Sequence, residues 1–176
     1  MGLVIAAWRL LAGCGLVGTV FAAVAAEPLE YAVKAAYLVK FPFYVEWPAA
    51  AFAAPNAPLM LCVVGDDPFG SVLDEAAAGQ VVQGHPLALR RLRSASRDAG
   101  CHIAYMGQDT RADAWRGTAT LVVTDGPAAN GVIHFVVKDN RVRFTVDDDA
   151  AAQSGLAISS KLLNVALSVR PRGAAR

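Results

Sequence analysis

Residues 59–70 read LMLCVVGDDPFG. The first six residues form a continuous apolar run, and such a run is typical of a strand that is covered on both faces, as in a parallel sheet. Asp67 and Pro68 suit the N-cap and the first position of a helix, which the pattern predicts over residues 69–78. A strand, a tight acidic turn and a helix together open a βαβ unit.

The rest of the chain continues this alternation of strands and helices. Apolar runs predict further strands over residues 85–92, 102–106 and 120–124, with helical segments over residues 94–99 and 112–116. The alternation predicts an α/β fold, a three-layer α/β/α sandwich around a mostly parallel sheet.

The period of the sequence changes towards its end. Residues 131–138 and 142–146 flank the turn signal Asp139-Asn140-Arg141, which predicts an antiparallel hairpin at one edge of the sheet. Residues 147–149 are three aspartates that suit the N-terminus of a short helix. A last helix is predicted over residues 159–169, capped by its serines.

An aromatic-rich segment precedes the first strand. Residues 34–48 read KAAYLVKFPFYVEWP, which fits either a core helix or a docking surface. The spacing predicts a helix whose buried face is formed by Leu29, Val33, Tyr37, Phe41 and Tyr44. Pro42 lacks a backbone N–H, so the helix should kink or restart there, and it should end before Pro48. Lys34, Lys40 and Glu46 are predicted to stay in solvent.

The first 26 residues have the pattern of a secretory leader. They carry one charge, Arg9, followed by an apolar run that ends in small residues, so we expect cleavage after Ala25 or Ala26. Two alternatives remain open: lipoprotein processing at Cys14, and retention of the apolar run as an uncleaved anchor.

Residues 27–176 are then one exported domain, which we expect in the periplasm. Lys and Arg number 16 in the chain and Asp and Glu 15, a balance that gives no electrostatic reason to expect nucleic acid as a partner. The domain retains Cys62 and Cys101. In an oxidising compartment two cysteines favour a disulfide, although two buried free thiols would also fit these apolar runs.

Residues that carry chemistry are sparse. Asp66 and Asp67 follow a predicted strand, where α/β sheets bind ligands, and such a carboxylate pair suits a cation, acid–base chemistry or a helix cap. The histidines, His85, His102 and His134, lack metal-ligand spacing, and there is no G-x-S-x-G motif. We therefore expect no catalytic residue, metal or cofactor, and rank an exported hydrolase last.

The predicted hairpin carries a small basic edge. Arg141 and Arg143 lie on its second strand, and Lys138 precedes the turn. Charges of this kind protect a sheet edge against aggregation. A binding role is the alternative.

Seven blocks of sequence occur in one order along the domain. They are residues 30–48, 63–70 (VVGDDPFG), 84–92, 100–103 (GCHI), 133–136 (IHFV), 141–144 (RVRF) and 155–163 (GLAISSKLL). Together these blocks resemble the YfiR-like family of periplasmic proteins. The resemblance implies an α/β regulator that binds the periplasmic domain of an inner-membrane diguanylate cyclase and represses it, lowering cyclic di-GMP and biofilm formation. It also implies an outer-membrane lipoprotein as a second partner, a homodimer, and a disulfide between Cys62 and Cys101.

Three features depart from the family pattern. A second disulfide has no counterpart here, the segment 125–131 is short, and Pro42-Phe43 stands where an alanine and a basic residue are common. We therefore predict a periplasmic, non-enzymatic repressor with its own partner. A periplasmic small-molecule-binding sensor module is the alternative. The candidate contacts for partner or ligand are Tyr37, Phe43, Trp47, Asp66, Asp67, Arg141 and Arg143.

Overall fold

The computed structural model describes residues 26–107, 112–126 and 130–173. The leader, apart from its last residue, and Cys14 lie outside the described residues, so leader processing stays a prediction. Within the described ranges, no helix combines the length and the hydropathy that crossing a membrane requires.

Short strands alternate with short helices along the domain. The helices are α1 (Ala26–Lys40), α2 (Ser71–Ala77), α3 (Asp148–Gln153) and α4 (Ser160–Val165). The strands are β1 (Val45–Glu46), β2 (Leu59–Val64), β3 (Val81–Val82), β4 (His85–Leu92), β5 (Ile103–Met106), β6 (Leu121–Asp125), β7 (Ile133–Lys138), β8 (Arg141–Asp147), β9 (Ala157–Ile158) and β10 (Ser168–Arg170). Single 3-10 turns occur at Phe41–Tyr44, Ala49–Ala51, Arg97–Ala99 and Ala112–Trp115.

Eight strands form one sheet in the order β10-β8-β7-β6-β5-β2-β4-β3. The pairs from β4 through β2, β5 and β6 to β7 are parallel, whereas β7–β8 and β3–β4 are antiparallel. A separate antiparallel pair joins β1 to β9. This mixed, mostly parallel sheet with its hairpin confirms the predicted α/β class.

The predicted strands lie close to their observed positions. β2 and β4 have the predicted bounds, and the other predicted strands differ by two residues or fewer. In the β7–β8 hairpin, Asp139 and Asn140 have positive φ angles of 51° and 56°, as a two-residue turn requires. The N-cap of α3 is Asp147, whose side chain accepts from the Ala150 N–H at 2.8 Å.

The prediction for the last helix is wrong in its second half. α4 ends at Val165, and β10 follows, pairing parallel with β8. The N–H of Leu167 donates to the Phe144 carbonyl at 2.8 Å. A six-residue helix is marginal in isolation, whereas pairing satisfies the edge groups of β8. β10 therefore lies outside the hairpin at this edge.

Two other predicted helices are shorter than expected. α2 begins at Ser71 rather than at residue 69, because the Asp67 side chain caps the preceding turn through the Phe69 N–H at 2.8 Å. Residues 94–99 contain only the 3-10 turn Arg97–Ala99. The two-residue β3 was not predicted from the sequence.

The sheet separates two apolar clusters, as the alternating side chains of its strands require. The larger one lies beneath the α-helices and includes Leu61 and Ile103. The smaller one includes Trp115 and the disulfide between Cys62 and Cys101, with Cα atoms 5.8 Å apart. On this second face the described covering consists of 3-10 turns, so the third layer is thin. The disulfide agrees with the predicted pairing.

The face of α1 that packs on the sheet differs from the prediction. Leu29 is 68% exposed, and Val33 and Tyr44 are also exposed. The buried residues are Ala35, Leu38 and Val39, with Phe41, and Lys34, which is only 2% exposed. The prediction that Lys34 stays in solvent is therefore wrong, because its ammonium pairs with carboxylates beneath the helix. The predicted break is confirmed: α1 ends at Lys40, and the 3-10 turn containing Pro42 follows.

Candidate functional site

An apolar groove of about 700 Å³ runs along the outward face of α1. We call it the α1 groove. Its lining residues are Ala32, Val33, Ala36, Tyr37, Lys40, Phe41, Tyr44, Phe144, Lys161, Leu162 and Val165. Ala32 and Ala36 are four residues apart, and their small side chains leave space beside the helix. α4 supplies the second wall.

Packed aromatic rings form the floor of the α1 groove. The rings of Phe41 and Phe144 meet edge to face with centroids 5.1 Å apart, and Tyr37 contacts both at 5.7 and 5.4 Å. Phe41 also contacts Phe135 at 5.8 Å. A floor tied into the core by several ring contacts is preformed, and preformed sites lose less entropy on binding.

The rotation of α1 explains why the groove exists. Because Lys34, Leu38 and Val39 face the sheet, the stripe that the spacing predicted as core is divided: Phe41 is buried and Tyr37 packs against the core, whereas its other members point outward. Val33 and Tyr44 of that stripe are exposed in the groove. The apolar surplus of this segment therefore lies on the surface, where it suits contact with another molecule.

The charges on the groove are all basic. Lys40 and Lys161 are the charged residues of its lining, one on the α1 wall and one on α4, and the described lining contains no carboxylate. The Lys40 ammonium lies over the Phe43 ring, 5.3 Å from its centroid. Phe43 is exposed beside the groove.

The apolar surface continues towards the hairpin. A second concavity of about 300 Å³ shares Val33 with the α1 groove and is lined by Leu29, Glu30, Val137, Asn140, Arg141 and Val142. Arg141 therefore borders the continuous apolar surface. Arg141 also lines a small concavity on the hairpin together with Arg143 and Lys138, which do not line the α1 groove. Both arginines lie on the part of β8 that β10 leaves unpaired.

The two aspartates after β2 are placed differently from each other. Asp67 accepts from the Phe69 N–H, and its carboxylate also pairs with Arg91 at 2.7 Å. Arg91 pairs with Asp74 at 2.6 Å and so links the turn to α2. Asp66 is exposed and lines a cavity of about 400 Å³ at the strand ends. We call this the strand-end cavity; its other lining residues are Tyr31, Gly65, Pro68, Arg93, Ser94, Ala95, Tyr105, Gly107 and Asp125.

A buried polar cluster lies next to the strand-end cavity. Lys34 Nζ donates to Asp125 Oδ2 at 2.7 Å and also to Glu30, and the Tyr105 hydroxyl donates to Asp125 Oδ2 at 2.9 Å. Burial opposes the charge on Lys34, but its hydrogen bonds and its attraction to both carboxylates together raise its pKa. Burial and the Asp125 charge strongly raise the pKa of Tyr105. Sequence patterns missed this cluster, because Asp125 looked like a turn residue.

The loop after β1 is fixed to the sheet by two histidines. The Phe52 ring stacks on His85 and His102, with centroids 3.7 and 4.5 Å away. His102 Nδ1 accepts from the Met60 N–H at 3.0 Å, and its Nε2 lies 3.0 Å from the Ala51 carbonyl. This arrangement fits the neutral imidazole. Burial and the nearby His85 lower the pKa of His102, and the Ala51 hydrogen bond opposes them only in part.

The remaining candidate residues do not assemble into a catalytic site. Trp47 is partly buried against the main core. Across the described ranges, no three His, Cys, Asp or Glu side chains group closely enough to hold a metal ion. Of the seven candidate contacts, the structure brings Tyr37, Phe43 and Arg141 to one surface and Asp66 to another.

The chain matches a protein family along most of its length. A family model described as YfiR/HmsC-like matches residues 31–167. The matched region includes the α1 groove from Ala32 to Val165, the disulfide and the strand-end cavity. No curated protein matches the chain.

Proposed function

The chain belongs to the YfiR/HmsC-like family, and from this premise we propose that it is a periplasmic, non-enzymatic regulator that represses an inner-membrane diguanylate cyclase. In this proposal it binds the cyclase's periplasmic domain, lowering cyclic di-GMP and biofilm formation. Family membership supports a regulator of this kind. Together with the disulfide, it also supports a protein that works outside the cytoplasm.

The observation that carries this proposal is the α1 groove. Its lining is apolar, open to solvent and floored by packed aromatic rings. Exposed apolar surfaces of this kind mark interaction sites, and aromatic residues dominate the energetics of protein contacts. The groove offers a partner a preformed surface.

Repression follows if the groove binds one state of the cyclase better than the other. A ligand shifts a conformational equilibrium only by its difference in affinity between the two states. A periplasmic contact that favours the inactive state would therefore hold the cyclase inactive across the membrane. An outer-membrane lipoprotein that competed for the groove would release the cyclase from repression. A homodimer would present two copies of the groove.

A small-molecule sensor is the second candidate function, and the strand-end cavity favours it. The cavity carries both signs of charge, with Asp66 and Asp125 facing the same space as Arg93. It lies beyond the carboxyl ends of β2, β5 and β6, where α/β sheets bind ligands. Stabilisation by a metabolite in a thermal-shift screen, lost on Arg93→Ala, would support this candidate.

Paired valine substitutions test the main proposal. Val33 and Val165, which are 37% and 59% exposed in the groove, together expose about one whole valine side chain. Burying one valine contributes about 1.5–3 kcal/mol, so Val33→Gln/Val165→Gln should weaken binding to the cyclase's periplasmic domain by about tenfold or more. Val72→Gln/Val81→Gln is the matched control, because these valines are 42% and 54% exposed outside the groove.

Titration calorimetry with the purified cyclase domain gives the affinities, and cyclic di-GMP levels in cells give the biological effect. The proposal predicts weaker binding and higher cyclic di-GMP for the groove variant alone. Absence of binding by the native protein, or equal losses in both double variants, would contradict it.

A further inference from the structure

We propose that the α1 groove receives an amphipathic helix whose apolar face is flanked by carboxylates. Which protein supplies this helix rests on the proposed function: the helix is then a segment of the cyclase's periplasmic domain. The shape and the charge of the groove argue for this occupant independently of that identity.

The shape of the groove suits a helix. Its walls come from α1 on one side and from α4 on the other, and Phe144 lies between them at the floor. Ala32 and Ala36 are one turn apart on α1 and allow a neighbouring backbone to approach closely, as small residues do where helices pack at 8–10 Å. An incoming helix would place residues at i, i+3, i+4 and i+7 against this apolar lining.

The basic residues around the groove favour a helix whose apolar face is flanked by carboxylates. Lys40 and Lys161 stand on different walls, so each can meet a carboxylate beside the apolar face. Arg141 adds a third cation where the surface continues. Glu30, the carboxylate of that second concavity, is already paired with the buried Lys34. Complementary charges accelerate association and reject wrong partners, so a helix with basic flanks would be disfavoured.

Two synthetic peptides test this inference directly. Both are helices of about four turns with identical leucine faces; one carries glutamates on both flanks and the other lysines. Fluorescence anisotropy with the native protein should show at least about tenfold tighter binding of the glutamate peptide, because two favourable rim pairs replace two repulsive ones. Val33→Gln/Val165→Gln should weaken this binding, which identifies the groove as the site.

Charge reversal provides the matched comparison. Lys40→Glu/Lys161→Glu should remove or invert the preference for the glutamate peptide. Lys138→Glu/Arg143→Glu reverses two exposed charges on the hairpin outside the groove and should leave the preference unchanged. Equal binding of both peptides, binding of neither, or an equal response to both reversals would overturn the inference.

Two further arms separate this inference from the proposed function. A cyclase domain that binds the native protein equally well after Lys40→Glu/Lys161→Glu overturns the inference and leaves the function standing. A glutamate peptide that binds in the groove while the cyclase domain does not bind contradicts the function and supports the inference. Binding to anionic lipid vesicles in preference to the glutamate peptide would assign the groove to a membrane and overturn the inference. Self-association of the native protein that Val33→Gln/Val165→Gln abolishes would assign the groove to a second copy of the chain and also overturn the inference.

Discussion

The buried ion pair between Lys34 and Asp125 allows a quantitative prediction about stability. Lys34→Met removes the ammonium and keeps an unbranched side chain of similar helix propensity. Two unit charges 2.7 Å apart attract by about 6 kcal/mol at an effective dielectric constant of about 20. The desolvation of both ions offsets part of this energy, and removing one partner of a buried pair typically costs about 3–5 kcal/mol. Asp125 keeps its Tyr105 hydrogen bond and is 13% exposed, so we expect about 3 kcal/mol.

Urea unfolding followed by circular dichroism measures this loss. Lys40→Met is the matched control on the same helix, where Lys40 is exposed, and should change stability by less than about 0.5 kcal/mol. In Lys34→Met/Asp125→Asn no charge is left unpaired between these positions, and the amide oxygen keeps an acceptor for the Tyr105 hydroxyl, so the double variant should recover much of the loss. The pKa of Lys34 is raised above 10.5, so the contribution is complete below pH 10.5 and is lost as the pH rises through the folded-state value. A loss below about 1 kcal/mol for Lys34→Met, or strictly additive single effects, would refute the reasoning.

Two further predictions concern the disulfide and His102. Reduction of the disulfide Cys62–Cys101, which spans 39 residues, should lower the free energy of unfolding by about 4 kcal/mol through loop entropy. Calorimetry with and without reductant measures this loss. If reductant shifted Cys62→Ala/Cys101→Ala, which has no disulfide to reduce, by the same amount, the result would contradict the prediction. Because burial lowers the pKa of His102 below 6.5, the unfolded chain takes up its proton first, and stability should fall as the pH drops from about 6.5 towards the folded-state value. His102→Asn should flatten this fall in urea unfolding curves between pH 7.5 and 5, leaving the part due to His134, whose pKa burial also lowers; an unchanged slope would contradict it.

Where structure depended on nearby residues, the sequence was a good guide. β2 follows an uninterrupted apolar run, and its bounds matched the prediction. The bounds of β4 also matched, although that strand contains two arginines. Pro42 ended α1 because a missing N–H is a local property. The prediction that Asp67 is the N-cap of α2 and Pro68 its first residue is wrong, because Asp67 caps the turn before α2, and the N-cap of α2 is Gly70.

The errors arose where a remote partner outweighed a local pattern. The spacing of α1 did not reveal that Leu38 and Val39 face the sheet, or that Lys34 pairs with Asp125 across 91 residues of sequence. The segment after Val165 had a helical pattern, yet in the structure it pairs with β8 and forms the strand β10. Neither partner can be identified from a window of neighbouring residues.

The sequence by itself determined the α/β class, the family, the cysteine pair and the position of the helix break, because these depend on local periodicity, on proline chemistry and on blocks of residues in a fixed order. Only the tertiary structure decided which side of α1 faces solvent. That choice converts the stripe of Val33, Tyr37 and Tyr44 from a predicted core into the lining of a groove. The physical reason is that a buried ammonium requires a carboxylate, and the fold alone brings Asp125 beneath Lys34.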